Sequence, residues 1–311
     1  MAYARLAPAG EPGLSDRLRH ELSTVTKAAQ RVAALGLVDA SLALPWASGL
    51  FSSAIGALGI KQSKGEDFML YRPSSKPEAL LILCHPSEGQ SLCRAMAEIW
   101  EEELRRAGVN FKRVDLNGSS TLNLSGADDL RAALSYNTGT IPKDVAELQE
   151  QVEASQFLIF VHPIFWFEVP SQLKAFLESV LSSGFAYRKL PSCWTLNRAV
   201  GIMNKVPALG PFLRRYSAYG LLRDKKVFIA RTQGGPAAGL GIFGHGATSL
   251  ESTMLFCGAR VQAVDTVSEV DDETRETLSA TALPQLRRKV VEHCRSIKAA
   301  GETVATARKD T

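Results

Sequence analysis

Two hydrophobic rhythms alternate along this chain. Ala79–Cys84 (ALLILC) is a short unbroken apolar run, the pattern of a strand buried on both faces. Ser91–Ala107 then places apolar residues at helical spacing and stops before Gly108. Asn110–Asp115 reads as a second strand, Asp144–Ala154 as a helix, Phe157–Val161 as a third strand and Ser171–Leu181 as a helix. Val227–Thr232 gives a fourth strand, Thr248–Cys257 a helix, Ala259–Val267 a fifth strand and Asp272–Ala299 a closing helix. Strands alternating with helices predict an α/β fold: a doubly wound parallel sheet of five strands with helices on both faces.

Two segments stand outside this rhythm. Residues 1–75 form an extension. Ser15 caps a predicted helix with apolar positions at Leu18, Leu22, Val25, Val32 and Leu35, ending at Gly36. Ala40–Ile60 carries no charge over roughly 21 residues, long enough to span a bilayer, but Pro45, Gly49, Gly56 and Gly59 favour an interfacial or partner-packed segment. Pro73–Pro77 reads as a linker to a domain over 76–300, and 301–311 as a polar tail. The second segment, Leu190–Arg223, is too long for a simple connection. No acid occurs between Glu178 and Asp224, while Arg188, Lys189, Arg198, Lys205, Arg214, Arg215 and Arg223 are interleaved with Trp194, Phe212, Tyr216 and Tyr219. This composition suits acidic lipid, a nicotinamide phosphate or a solvated loop.

Bulk composition excludes more than it assigns. The chain is 45% hydrophobic and 22% charged, with a net charge of +4, too little and too dispersed for a nucleic-acid face. Its five cysteines lack C-x-x-C spacing, so neither a disulfide frame nor a metal site is expected. No signal-peptide pattern opens the chain, and Glu11, Asp16, Glu21 and Asp39 break up the early arginines, unlike a mitochondrial presequence.

Ligands of doubly wound sheets bind beyond the carboxyl ends of the strands. After the first strand, His85-Pro86-Ser87-Glu88-Gly89-Gln90-Ser91 opens a helix whose free amides suit a phosphate. An ordinary turn capped by Ser91 fits the residues equally well. After the third strand, His162-Pro163-Ile164-Phe165-Trp166-Phe167-Glu168-Val169-Pro170 is either core or an aromatic wall for a planar ring. After the fourth, Thr232-Gln233-Gly234-Gly235 begins a glycine-rich loop that permits close backbone approach, or merely a flexible connection.

In combination these blocks resemble the flavodoxin-2 family, which includes the NAD(P)H:quinone oxidoreductases (DT-diaphorases). The match rests on His85-Pro86 with Ser91, Pro163–Phe176 (PIFWFEVPSQLKAF), Gly184-Phe185-Ala186-Tyr187, Thr232–Gly235, Gly244-His245-Gly246 and Phe256-Cys257-Gly258, in that order. The resemblance implies non-covalent FAD, with FMN less favoured, and NAD(P)H as co-substrate. His85, Ser87 and Ser91 would face the phosphates. Pro163, Ile164, Phe165, Trp166 and Phe167 would line the ring, and Thr232, Gln233, Gly234 and Gly235 would close over it. His245 would stabilise charge on the reduced flavin or quinol, and Tyr187 would be offered from the partner of a homodimer.

The chain departs from the family in three places. Cys93 stands where an asparagine is usual, the glycine loop has no tyrosine, and Leu190–Arg223 is inserted. Two readings follow. One is an FAD-dependent quinone reductase. The other is a flavodoxin-like accessory subunit of a membrane-bound assembly, with reduced or no catalysis. Residues 40–60 and 190–223 are the candidate membrane or partner contacts. The expected location is intracellular and membrane-associated, the mitochondrion included, with soluble cytoplasmic protein as the alternative.

Overall fold

The computed structural model describes residues 78–87, 89–116, 141–187, 220–223, 225–236, 238–243 and 247–307. All belong to the larger of two units into which the chain divides, Met69–Lys189 with Tyr219–Thr311. The expected N-terminal helix, Ala40–Ile60, nearly all of the Leu190–Arg223 insert and His245 lie outside the described residues.

The chain order is β1 (Glu78–Leu83), α1 (Leu92–Ala107), β2 (Asn110–Asp115), α2 (Lys143–Ala154), β3 (Phe157–Pro163), α3 (Ser171–Ser179), β4 (Lys226–Thr232), α4 (Gly239–Phe243), α5 (Ser249–Phe256), β5 (Arg260–Val267) and α6 (Arg275–Ala307). The strands form one sheet in the order β2-β1-β3-β4-β5, every pairing parallel. This is the expected doubly wound α/β sheet.

Side chains of the central strands alternate between two cores. Ala79, Leu81 and Leu83 of β1 pack with Phe157, Ile159 and Val161 of β3 beneath α1 and α6. Leu80, Ile82, Leu158, Phe160, Val227 and Ile229 face the opposite side, against α2, α3 and α5. A strand buried on both faces has no polar side, which is why β1 and β3 read as unbroken apolar runs.

α1 is held by signals visible in the sequence. The Ser91 hydroxyl accepts from Arg94 N at 3.2 Å. At the other end Gly108 takes a left-handed φ of 72°, and Val109 N bonds back to Leu104 O at 3.0 Å. α6 lies on α1 through Leu286, Val290, Cys294 and Ile297, a stripe at helical spacing. Each aliphatic member contributes about 1.5–3 kcal/mol of burial. Arg287 bonds to Glu102 and Glu103 at 2.7 and 2.8 Å, while Lys289 and His293 reach Asp265 at 2.8 and 3.0 Å, which ties α6 to α1 and β5.

Three of the expected elements differ from the expectation by more than one residue at an end. β3 runs on through His162 and Pro163, which pair with Arg231 and Thr232 of β4. α3 stops at Ser179, before Leu181. α6 starts at Arg275, not Asp272, and continues through Pro284 to Ala307. Among the described residues no helix is long and apolar enough to cross a membrane.

Candidate functional site

In this strand order the connections from β1 and β3 leave on opposite sides, which opens a crevice between the carboxyl ends of those strands. Three loops meet the carboxyl end of the sheet.

The first loop folds onto Ser87. Ser87 N donates to His85 Nδ1 at 3.2 Å, and Gly89 N donates to Ser87 Oγ at 3.1 Å. The Ser87 carbonyl accepts from both Nε and Nη2 of Arg94, at 3.3 and 3.1 Å. Nη1 of the same guanidinium reaches Asp115 Oδ2 at 3.1 Å, at the end of β2. Arg94 thus holds a loop carbonyl that would otherwise repel an anion. No acid occupies the first turn of α1, so its positive dipole end is not neutralised there. The Ser91 hydroxyl, accepting as a cap, keeps its own proton to donate.

The second loop is an aromatic hairpin. Phe165 and Glu168 exchange backbone hydrogen bonds, both at 2.9 Å, around Trp166 and Phe167. Those two residues have φ of 49° and 66°, the left-handed region a type I′ turn needs. Non-glycine residues there cost about 1–2 kcal/mol each. Trp166 is 93% exposed, Phe165 46% and Phe167 39%, so the hairpin tip is a wall and not core. Pro163 is fully within the strand and buried, and Ile164 N is fixed by Thr232 O at 2.7 Å.

The third loop leaves β4. Gln233 N bonds to Val267 O at 2.9 Å, and the Gln233 side-chain amide donates to the carbonyls of Gly235 and Pro236 at 3.3 and 2.7 Å. Gln233 therefore shapes its own loop. Gly234 and Gly235 are exposed, and a Cβ on Gly235 would meet nothing within 4 Å, so open space adjoins the backbone there. Thr232 turns inward: its hydroxyl lies 3.3 Å from Cys93 Sγ. Burial pushes the Cys93 thiol up to about 11, against the Thr232 hydrogen bond, so it stays protonated.

Beneath these loops lies a buried polar layer. Arg231 pairs with Glu251 through Nη1 and Oε1, and its Nε donates to Thr266 Oγ1 at 2.9 Å. Glu251 also caps α5, accepting from Thr248 N at 3.0 Å and from the Thr248 hydroxyl. His162, wholly buried beside them, places Nδ1 2.8 Å from the Pro163 carbonyl, so that nitrogen carries the proton. Desolvation drives its pKa down to about 4 and keeps the ring neutral.

A phosphate-suited helix end, an exposed aromatic wall and a glycine edge beside open space fit a planar heterocycle with a phosphate-bearing arm. The residues that could hold it are Ser87, Ser91, Ile164–Phe167 and Gly234–Gly235. A family model described as a flavodoxin-like fold matches residues 77–290, more than half of the chain. The chain belongs to the flavodoxin-2 family. Rat NAD(P)H dehydrogenase (quinone) 1 is 32% identical over 123 residues, covering 35% of this chain and 44% of that protein. Rat ribosyldihydronicotinamide dehydrogenase (quinone) is 27% identical over 234 residues, 68% of this chain and 90% of that protein. The solved NAD(P)H:quinone oxidoreductase from Methanothermobacter marburgensis superimposes with a TM-score of 0.50 at 22% identity, over 70% of this chain and 98% of that one. That likeness shows the fold.

The structure thus gathers His85, Ser87, Ser91, Pro163–Phe167 and Thr232–Gly235 at one end of the sheet. Tyr187, at the edge of the Ser183–Tyr187 turn, packs against Phe256 with ring centroids 5.2 Å apart and planes tilted by 58°, and bridges to Gly220. Sequence reasoning missed Arg94, Asp115 and the Arg231–Glu251 pair. Only the Thr248-x-x-Glu251 capping box carried a legible signal.

Proposed function

We propose that this chain is an FAD-dependent NAD(P)H:quinone oxidoreductase. The observation that carries the reading is the aromatic hairpin standing beside a glycine edge at the carboxyl end of a doubly wound sheet, with a phosphate-suited loop at the switch point. The names of the relatives support the reaction class. Bound flavin would supply the hydride relay, so that NAD(P)H, a proton and a quinone become NAD(P)⁺ and quinol.

The chain's own groups would do the rest. Ser87, Ser91 and the α1 amides hold phosphate, with Arg94 fixing the loop. Ile164 to Phe167 and Gly234-Gly235 flank the ring and keep water from it. By the family resemblance, His245 would stabilise charge on the reduced flavin or quinol, and Tyr187 would close the site from a partner subunit. FAD is preferred over FMN because the resemblance is to the FAD-binding reductases. Residues 40–60 and 190–223 would attach the protein to a membrane or a larger assembly.

The test is a purified full chain titrated with FAD and assayed with NADH or NADPH and menadione. Saturable FAD uptake with menadione reduction is expected. His245→Ala should lower kcat while flavin content holds. Flavin uptake without any quinone reduction would refute the activity.

A further inference from the structure

The Glu168 carboxylate is placed to join two of the site's three loops. Glu168 closes the aromatic hairpin, yet its carboxylate reaches across to α5, 81 residues on. Ser249 N donates to Oε1 at 3.0 Å and to Oε2 at 3.2 Å, and the Ser249 hydroxyl donates to Oε2 at 2.6 Å. Glu168 Oε2 also accepts from Val169 N at 3.1 Å, which fixes the side chain against its own strand end. Ser249 is the first residue of α5, so its amide is among those a helix leaves unbonded, and a carboxylate there also meets the positive dipole end. Thr248 and Glu251 already cap this helix, so Glu168 adds a link between elements rather than a missing cap.

The chain that enters α5 is the one that carries His245, four residues before Ser249. We infer that Glu168 is a positioning residue whose latch to Ser249 makes the aromatic hairpin and the start of α5 move together. This deepens the flavin-site reading and rests on it for its functional half. The strained Trp166-Phe167 turn explains why a latch is needed. Two aromatic residues held in the left-handed region store strain, which the Glu168 contacts help to hold. With the latch closed, the aromatic wall and the start of α5 keep one spacing. With it open, each follows its own loop.

The test begins with amide hydrogen exchange on the full chain without added flavin. Glu168→Ala and Ser249→Pro, the latter removing both the amide donor and the hydroxyl at a first helical position that accepts proline, should each speed exchange at the residue 165 and 168 amides by about tenfold, the loss of a charge-assisted hydrogen bond. The double variant should be no faster than either single one, because both remove the same link. Glu168→Gln, which retains one acceptor oxygen, should fall between. Amides of β1 and β3 should not change. The second arm adds FAD, NADH and menadione. Glu168→Ala should raise the menadione KM several-fold, about tenfold at most, with partial rescue in Glu168→Gln. Unchanged exchange in Glu168→Ala overturns the latch. Faster exchange with kinetics equal to wild type overturns its role in positioning the site. If wild type binds no flavin, the flavin reading fails, and the exchange arm still decides the latch by itself.

Discussion

Glu251→Ala isolates the energetic consequence of the buried polar layer. Arg231 and Glu251 are 6% and 7% exposed, so neither has water to fall back on. Removing the carboxylate leaves the Arg231 guanidinium with its bond to Thr266 at 2.9 Å but no counter-charge. Breaking such a pair costs about 3–5 kcal/mol. Loss of the Thr248–Glu251 capping box alone would cost about 0.5–2 kcal/mol. Both effects act through one side chain and overlap, so the expected total stays near ~3–5 kcal/mol. Against a typical domain stability of about 5–15 kcal/mol, that is a large fraction. Urea denaturation of the full chain, followed by far-UV circular dichroism, reads it directly. The decisive companion is the double variant Arg231→Met with Glu251→Leu, which removes both charges and keeps the volume. It should recover most of the loss, because an apolar pair carries no desolvation penalty. A single variant within about 1 kcal/mol of wild type, or a double variant no better than the single, would refute the reasoning.

Three further outcomes follow from the site. Trp166→Asn should stabilise the chain by about 1 kcal/mol, since Asn tolerates the left-handed region and a 93% exposed Trp loses little burial; the same variant should bind FAD more weakly, and a lower urea midpoint would contradict the strain argument. Burial by itself would raise the Glu168 carboxyl, but the Ser249 and Val169 hydrogen bonds outweigh it and hold the pKa below its ordinary 4.5. A depressed carboxylate stabilises the fold above that ordinary value and loses the contribution as pH falls through its lowered one, so tryptophan fluorescence should report hairpin release below pH 4.5 in wild type and none in Glu168→Gln. Arg94→Lys exchanges a fork that grips Ser87 O and Asp115 for a single point charge, and FAD affinity should fall about tenfold by fluorescence titration; unchanged affinity would remove Arg94 from the phosphate loop's support.

Local chemistry explains which parts of this architecture were legible. Ser91 and Gly108 mark the ends of α1 because a hydroxyl cap and a left-handed glycine are encoded by single residues. The unbroken runs of β1 and β3 announce burial on both faces. β3 was read short because His162 and Pro163 look like loop residues; they extend the strand only because Arg231 and Thr232 of β4 lie alongside. The hairpin gave no turn signal, since a type I′ turn is usually written Asn-Gly and here is Trp-Phe. The α6 helix runs past the residues that the apolar stripe marks, through Gly301 to Ala307. Contacts such as Glu168–Ser249, Cys93–Thr232 and Arg231–Glu251 join residues far apart in the chain, and no periodicity could pair them. The candidate site was legible for the opposite reason. Its blocks sit directly after strands, so the positions of the strands carried the positions of the loops.

The central claim is that the crevice at the carboxyl end of the sheet holds a flavin, and its most direct measurement is an equilibrium titration of the purified full chain with FAD, read by the visible spectrum. The expected result is saturable uptake approaching one FAD per chain, with a perturbed absorption band, and weaker uptake in both Arg94→Lys and Trp166→Asn. A folded, colourless chain that neither FAD nor FMN saturates would contradict it.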